Sequence, residues 1–426
     1  MKERIAIVAG IRSPFCKGGG VMRDMAADDI GAYVVAELMA KSNVDPSKVD
    51  ELIFGNVIQP SQSANIARII SIKAGLPVKI PAYTVNRNCA SGLEAITSGA
   101  DKILLGHNDI VVAGGTESMS NFPVEISKSF KDFLMRLTKA KSFGDKLAIA
   151  CSFRPSFLVP EMPELSDPLC DLNMGQTAEV LAREFKVTRQ EQDQFALNSQ
   201  NRAEKAMNEG RLGEEIEPIP IGPKYTTVQA QDEGPRANQT LEALAKLKPA
   251  FDKLTGTVTA GNSSQITDGA AAVLLMKESK AKELGLEPLG YIRDYAAAGL
   301  QPNRMGLGPA FAISKVLTKT GLNLSDIDLI EINEAFAAQV LACVRALSSD
   351  DFAKNELGRD KAVGIIDLEK LNVNGGAIAL GHPLGASGAR LVVTLLKELR
   401  RRNKNTGIAS LCIGGGQGQA IVLEVK

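Results

Sequence analysis

The chain reads as a layered α/β protein made from two copies of one plan, with a different segment set between them. Three observations predict this. Short apolar runs alternate with amphipathic segments along most of the 426 residues, the pattern of helices covering a largely buried sheet. Three local patterns recur in the same order near both ends of the chain. The stretch between the copies, residues 121–263, breaks the alternation with prolines at 155, 160, 163, 168, 218, 220 and 223.

Taken in order, strands are predicted at 5–8, 51–54, 109–113, 271–276, 329–332, 408–411 and 420–425, each a short segment dominated by apolar residues. Helices are predicted at 29–40, 92–105, 177–185, 189–208, 309–320, 335–346 and 386–401. The first copy runs Asp50 to Asn56, Cys89-Ala-Ser-Gly92, then Asp109 to Gly115. The second runs Asp328 to Asn333, Gly385-Ala-Ser-Gly388, then Ile408 to Gly415. Each copy thus gives a strand ending in asparagine, a small-residue opening of a long helix, and a strand running into glycines. The predicted organisation is a first half, 1–283, holding an inserted loop domain, 121–263, and a second half, 284–426.

Composition excludes several functions. Lys plus Arg equals Asp plus Glu at 49 each, there is no Trp, and aromatics are 4%. No global field or stacking surface for nucleic acid is expected. The six cysteines, at 16, 89, 151, 170, 343 and 412, stand at least 19 residues apart, and only two histidines occur. No CxxC motif and no metal site are therefore predicted. No apolar run reaches membrane-spanning length, and strand character from Ile5 onward predicts no targeting peptide ahead of the fold. A cytoplasmic enzyme is the expectation. Within the insertion, Phe130, Phe133, Leu134 and Leu137 form an apolar stripe ringed by Lys128, Lys131, Arg136, Lys139 and Lys141. A surface helix packed on its own domain is the simpler reading. A membrane-surface or partner-docking helix is the alternative.

Three residues stand in settings that point to covalent acyl chemistry. His382 lies in Asn374-Gly-Gly-Ala-Ile-Ala-Leu-Gly-His-Pro-Leu-Gly-Ala-Ser-Gly388, a run whose glycines suit tight turns or close approach of a ligand. Cys89 precedes a helix, where backbone N–H groups are expected to favour a thiolate and lower its pKa. A neutral imidazole could take its proton, giving an activated nucleophile. Cys412 ends a strand and runs into Gly414-Gly-Gly416, a nest of N–H groups able to hold an oxyanion. Asn333, in Asn-Glu-Ala-Phe336, is expected to cap a helix start, with its amide free to hold a water or polarise a carbonyl. His107 reads as a turn residue.

These four blocks, NRNCASG, NEAF, GHPLGASG and CIGGGQG, resemble the signature blocks of the thiolases, in order and over essentially the full length. The resemblance implies a duplicated βαβαβαββ unit, a five-layer αβαβα arrangement with an inserted loop domain, and a homodimer or homotetramer. It implies that Cys89 carries the acyl group, that His382 activates it, and that His382 with a water on Asn333 forms one oxyanion hole. Cys412 would act as acid and base, and the N–H groups of Cys89 and Gly414 would form a second oxyanion hole. Coenzyme A would enter as substrate, with no tightly bound cofactor, along Ser264, Phe336, Met174, Ala260 and Gly261. Asn173 stands where many biosynthetic members carry histidine. Residues 139–163 resemble the β-subunits of trifunctional fatty-acid-oxidation complexes, which implies a hydratase/dehydrogenase α-subunit as partner. Those subunits generally show HEAF where this chain has NEAF. Cleavage of medium or long 3-ketoacyl-CoA is the leading expectation, an acetoacetyl-CoA thiolase the close alternative, and a non-catalytic scaffold or lipid-binding subunit the alternative of another class.

Overall fold

The computed structural model describes residues 3–124, 126–159 and 166–426; the prolines at 160 and 163 lie outside these. Ten strands form one sheet. They are β1 (Ile5–Arg12), β2 (Cys16–Lys17), β3 (Glu51–Gly55), β4 (Ala82–Val85) and β5 (Ile110–Ser118), followed by β6 (Thr267–Lys277), β7 (Gly290–Gly299), β8 (Leu329–Ile332), β9 (Thr406–Ile413) and β10 (Gln417–Glu424). The spatial order is β8-β9-β10-β7-β1-β6-β5-β3-β4, with β2 paired to β6.

The order is symmetric about its middle. Outward from β1 come β6 and β5, each antiparallel to its predecessor, then β3 parallel to β5. Outward from β7 come β10 and β9, again antiparallel, then β8 parallel to β9. Even the last parallel partner has an echo: β4 lies beside β3, and Leu371 bridges Ile330 of β8. The halves meet where Ile5, Ala6 and Ile7 pair with Ile292, Tyr291 and Gly290.

Helices fill three layers, and each layer has its own apolar core. On the outer face of the first half lie α1 (Ala27–Ser42) and α2 (Ile66–Lys73), where Ile30, Val34 and Leu38 meet Phe54, Val112 and Leu274. Between the halves lie α3 (Ser91–Leu104) and the long helix Leu384–Arg401, where Leu93 and Ile96 share a core with Leu391, Leu395, Val111, Val273 and Leu411. On the outer face of the second half, Gly308–Thr320 and Ala337–Leu347 bury Ile313, Val316 and Val340 against Ile330, Ile408 and Val422. The two-residue strand period does the sorting. Val112 and Leu274 face outward while their neighbours Val111 and Val273 face the middle layer. Strands buried on both faces explain why the sequence shows continuous apolar runs there.

Between β5 and β6 the described residues add no further strand to the main sheet, although Ile216 bridges Arg12 at the end of β1. This stretch carries α4 (Lys128–Lys139), α5 (Phe143–Cys151), α6 (Met174–Glu184) and α7 (Arg189–Asn208), with two two-residue ladders. The remaining long helices are then α8 (Gly308–Thr320), α9 (Ala337–Leu347) and α10 (Leu384–Arg401). The predicted apolar stripe of α4 packs on the neighbouring part of its own insertion, where Phe133 is buried. Phe130, Phe133, Phe153 and Phe157 form their own cluster, with neighbouring ring centroids 5.5–6.4 Å apart. Leu134 and Met135 stay exposed. No helix among the described residues is long and apolar enough to cross a membrane.

Candidate active site

The site is built where α3 and α10 cross at their N-terminal ends. A Cβ on Gly92 would lie 2.6 Å from Gly385 O, and one on Gly388 would lie 2.4 Å from Leu93 N. Real Cβ atoms do not approach backbone that closely, so the repeated Ala-Ser-Gly openings are what let the two helices touch. Cys89 stands two residues ahead of α3 and His382 two residues ahead of α10. The crossing therefore brings the two segments together from opposite halves.

Cys89 lies in a loop pinned to the glycine run after β9. Asn88, in the left-handed region at φ 45, donates from Nδ2 to Gly414 O at 2.8 Å. In return, the Gly414 N–H and the Cys89 N–H itself act on the thiol and favour its anion. They do not win. Burial is the largest influence and Glu117 adds a negative charge, so the thiol is pushed up to about 11. The expected lowering by the helix start is thus overturned, because desolvating an anion outweighs two N–H contacts here. Beside the loop a polar cavity of about 420 Å³ is lined by Asn86, Arg87, Asn88, Glu94 and Gln417.

His382 is buried at 5% exposure, and its backbone N–H donates to Gln265 O at 3.0 Å. Ser387 fixes the ring. Its hydroxyl donates to Pro383 O at 3.0 Å, so it accepts from Nδ1–H at 2.6 Å, which leaves the Nε2 lone pair as the base. Nε2 lies 3.3 Å from Asn333 Nδ2. No hydrogen bond among the described residues joins Nε2 to the Cys89 thiol. Burial first, and the Arg390 charge second, hold the imidazole down to about 3. The unliganded site therefore contains a neutral thiol and a neutral imidazole.

Asn333 does not cap a helix. The following helix, α9, begins at Ala337 with Phe336 at its cap, because Asn333 to Ala335 still complete the strand exit. Its amide faces His382 instead, and its Oδ1 is buried with no protein partner. Neighbouring Glu334 anchors this corner by accepting from Ser199 Oγ at 2.6 Å and Asn372 Nδ2 at 2.9 Å.

Cys412 is 1% exposed at the end of β9. Burial and the nearby Cys89 charge raise its pKa well above the ordinary thiol value. It shares one apolar cluster with Phe336, Val258, Ala178 and the partly buried Met174 and Phe251. Ser264 joins this wall through its N–H to Ala335 O at 2.9 Å. Ala260 is exposed, whereas Gly261 is buried with its Cα turned toward Leu244 and Leu247. Sequence reasoning missed Glu117, Asn56, Ser387 and Gln265. The signal for Glu117 was present: a lone carboxylate inside the buried glycine-rich strand 110–118.

Residues 5–279 match the profile of the thiolase N-terminal domain, and residues 286–425 that of the thiolase C-terminal domain. A 3-ketoacyl-CoA thiolase of Colwellia psychrerythraea is 44% identical over 423 residues, 99% of this chain and 97% of the relative. Among solved structures, the acetyl-CoA acetyltransferase of Bacillus anthracis aligns with a TM-score of 0.85 and 41% identity over 99% of both chains. Human mitochondrial 3-ketoacyl-CoA thiolase in complex with CoA aligns at 0.84 and 38%, over 100% of this chain and 98% of that one. Site geometry, duplicated topology and full-length similarity agree, and the chain belongs to the thiolase family.

Proposed function

We propose that this enzyme cleaves 3-ketoacyl-CoA with CoA to give acetyl-CoA and an acyl-CoA shortened by two carbons. The observation that carries the reading is the meeting of Cys89, the Gly414 N–H and Cys412 opposite a histidine whose tautomer leaves Nε2 basic. In this reading Cys89 loses its proton to His382 Nε2 as its sulfur attacks C3 of the substrate. The C2–C3 bond breaks, and Cys412 protonates the departing enolate to acetyl-CoA. The Cys412 thiolate then takes the proton of incoming CoA, whose sulfur displaces Cys89 from the acyl group. His382 returns its proton to Cys89.

Burial raises the thiol and lowers the imidazole, so the thiolate–imidazolium pair is disfavoured in the site by itself. Ionisation is thereby coupled to substrate, since developing oxyanions are stabilised by the Cys89 and Gly414 N–H groups and by His382 with a water on Asn333. The unpartnered Asn333 Oδ1 supports a water at that corner. Met174, Phe336 and Ser264 line the route for pantetheine, and Ala260 and Gly261 shape the loop beside it.

Fatty acid β-oxidation in the cytoplasm, acting as a homodimer or homotetramer, is the setting this reading implies. The exposed, cationic α4–α5 hairpin supports docking to a hydratase/dehydrogenase α-subunit or a membrane surface. Recovery of the native protein as a lone homo-oligomer that ignores vesicles would remove that part. The acetyl-CoA acetyltransferase of Bacillus anthracis, similar at 41% identity, favours a second reading on four-carbon substrate. Steady-state cleavage of acetoacetyl-CoA and 3-ketohexadecanoyl-CoA decides between them: comparable or higher kcat/KM on the long substrate supports the first, strong preference for the short one supports the second.

A further inference from the structure

Glu117, near the end of β5, is fully buried and has no ion-pair partner among the described residues, yet four N–H donors converge on it. Oε1 accepts from Asn56 Nδ2 at 2.8 Å and Ile58 N at 3.1 Å. Oε2 accepts from Val57 N at 3.1 Å and Gly385 N at 2.9 Å. Three of these donors belong to the loop after β3 in the first half. The fourth belongs to the first turn of α10, three residues past His382 in the second half.

The internal duplication sharpens the comparison. Asn56 and Asn333 end equivalent strands, β3 and β8. In the second half the asparagine faces the imidazole; in the first it faces this carboxylate. Both oxygens accept from two N–H donors each, an arrangement that suits the anion.

We infer that Glu117 is a positioning residue: its ionised carboxylate locks the α10 start that carries His382 and Ser387 to the Cys89 side of the site. This rests on the thiolase reading above. Burial lifts the carboxyl to about 7 against the pull of its four donors, so the lock opens on modest acidification. Of the ionisable groups on the elements packed around β5, the Cys89 thiol feels the Glu117 charge and Asp268 of β6 is held by Ser120. Asp28 and Asp29 of α1 pair with Lys73, Glu51 of β3 with Lys102, Glu94 of α3 with Arg87, and Arg390 of α10 with Glu331, while His382 stands ahead of α10. Gly269, directly opposite Glu117 in the ladder, adds none.

The test compares the full-length enzyme with Glu117→Gln and Asn56→Ala from pH 5.5 to 9. It follows kcat/KM and, independently of turnover, iodoacetamide labelling of Cys89 by mass spectrometry. The unchanged enzyme is expected to lose kcat/KM below neutrality. Glu117→Gln turns an amide NH2 toward two donors, so its plateau kcat is expected to fall about 10²-fold, the cost of misplacing a reacting group by about an ångström. Its acid limb should vanish, and its labelling curve should move to lower pH because an anion has left. Asn56→Ala keeps the carboxylate and three donors. Loss of one hydrogen bond to a charged group is expected to raise the acid limb by about one pH unit. An acid limb that stays in place in both variants, with an unmoved labelling curve, overturns the inference, as does a uniform rate loss at all pH values. If Cys89→Ala retains turnover, it is the thiolase reading that fails.

Discussion

His382 is a base that its surroundings forbid to charge in the resting protein. Its ordinary pKa is near 6.5, and burial with Arg390 takes it to about 3. Between those values the unfolded chain binds a proton that the folded chain refuses. This contribution to stability is complete above pH 6.5 and drains away on acidification, by up to about 1.4 kcal/mol per pH unit. His382→Gln is expected to flatten that slope by one proton equivalent, measured by urea unfolding from pH 4 to 7; an unchanged slope would mean the ring is already charged. Cys89→Ala is expected to abolish turnover while leaving the fold, checked by circular dichroism and activity on acetoacetyl-CoA. Asn333→Ala should lower kcat about 10²–10³-fold with little change in KM, the signature of a lost transition-state contact. At this scale the sequence spoke clearly about identity and poorly about environment. The unusual settings of Cys89, His382 and Cys412 pointed to acyl chemistry; in the structure Cys412 feels the Cys89 charge, and the helix starts that follow Cys89 and His382 touch. The direction of the Cys89 shift could not be read from its helix start, because burial in the folded chain and the Glu117 charge outweigh the N–H groups of Cys89 and the distant Gly414.

Helices and strands were legible where one rule governed them. The predicted helix 189–208 coincides with α7, which a capping box of Thr188 and Glu191 starts cleanly. The predicted strand 329–332 coincides with β8, three apolar residues around Glu331 that are buried along their whole length. Where rules conflict, the reading failed. The strand β7 carries Arg293 and Asp294 beside a register shift, so its alternation is broken and it was not foreseen. Likewise β4 is only four residues long and α2 is rich in isoleucine, which suits a strand as well as a helix. The crossing of α3 and α10 gives a prediction at this scale. Gly388→Ala would gain roughly 0.5–1 kcal/mol of helix propensity. It would also drive a methyl to 2.4 Å from Leu93 N and 2.7 Å from Leu93 Cβ. Backbone on both sides cannot yield cheaply, and overpacking of this kind costs about 1–3 kcal/mol or more. A net fall in thermal midpoint is expected, with loss of activity exceeding loss of fold because the two site segments separate. A rise in the midpoint would show that the helices have room.

Over the whole molecule, the duplication was visible because three short patterns recurred in order, although the intervening lengths differ. What the pattern could not convey is how little backbone joins the halves. Three residue pairs link β1 to β7, whereas the apolar core between the halves draws on α3, α10 and strands of both sheets. The halves are therefore joined by side-chain burial far more than by hydrogen-bonded pairing. Neither half can cover that middle face alone: residues 1–283 would expose Leu93, Ile96 and Val273, and residues 284–426 would expose Leu391, Leu395 and Leu411. Burying each of these contributes roughly 1.5–3 kcal/mol, and the six together are comparable to the roughly 5–15 kcal/mol by which a typical domain is stable. Expressed separately, the two pieces are expected to bind a hydrophobic dye, to lack sharp near-ultraviolet dichroism, and to show no turnover. Co-expressed, they should assemble through the middle layer and recover activity, since the chain between the helix Glu278–Glu283 and β7 is a short surface connection. A first half that unfolds cooperatively on its own would contradict this account and would mean that the layer shared by α3 and α10 adds little to folding.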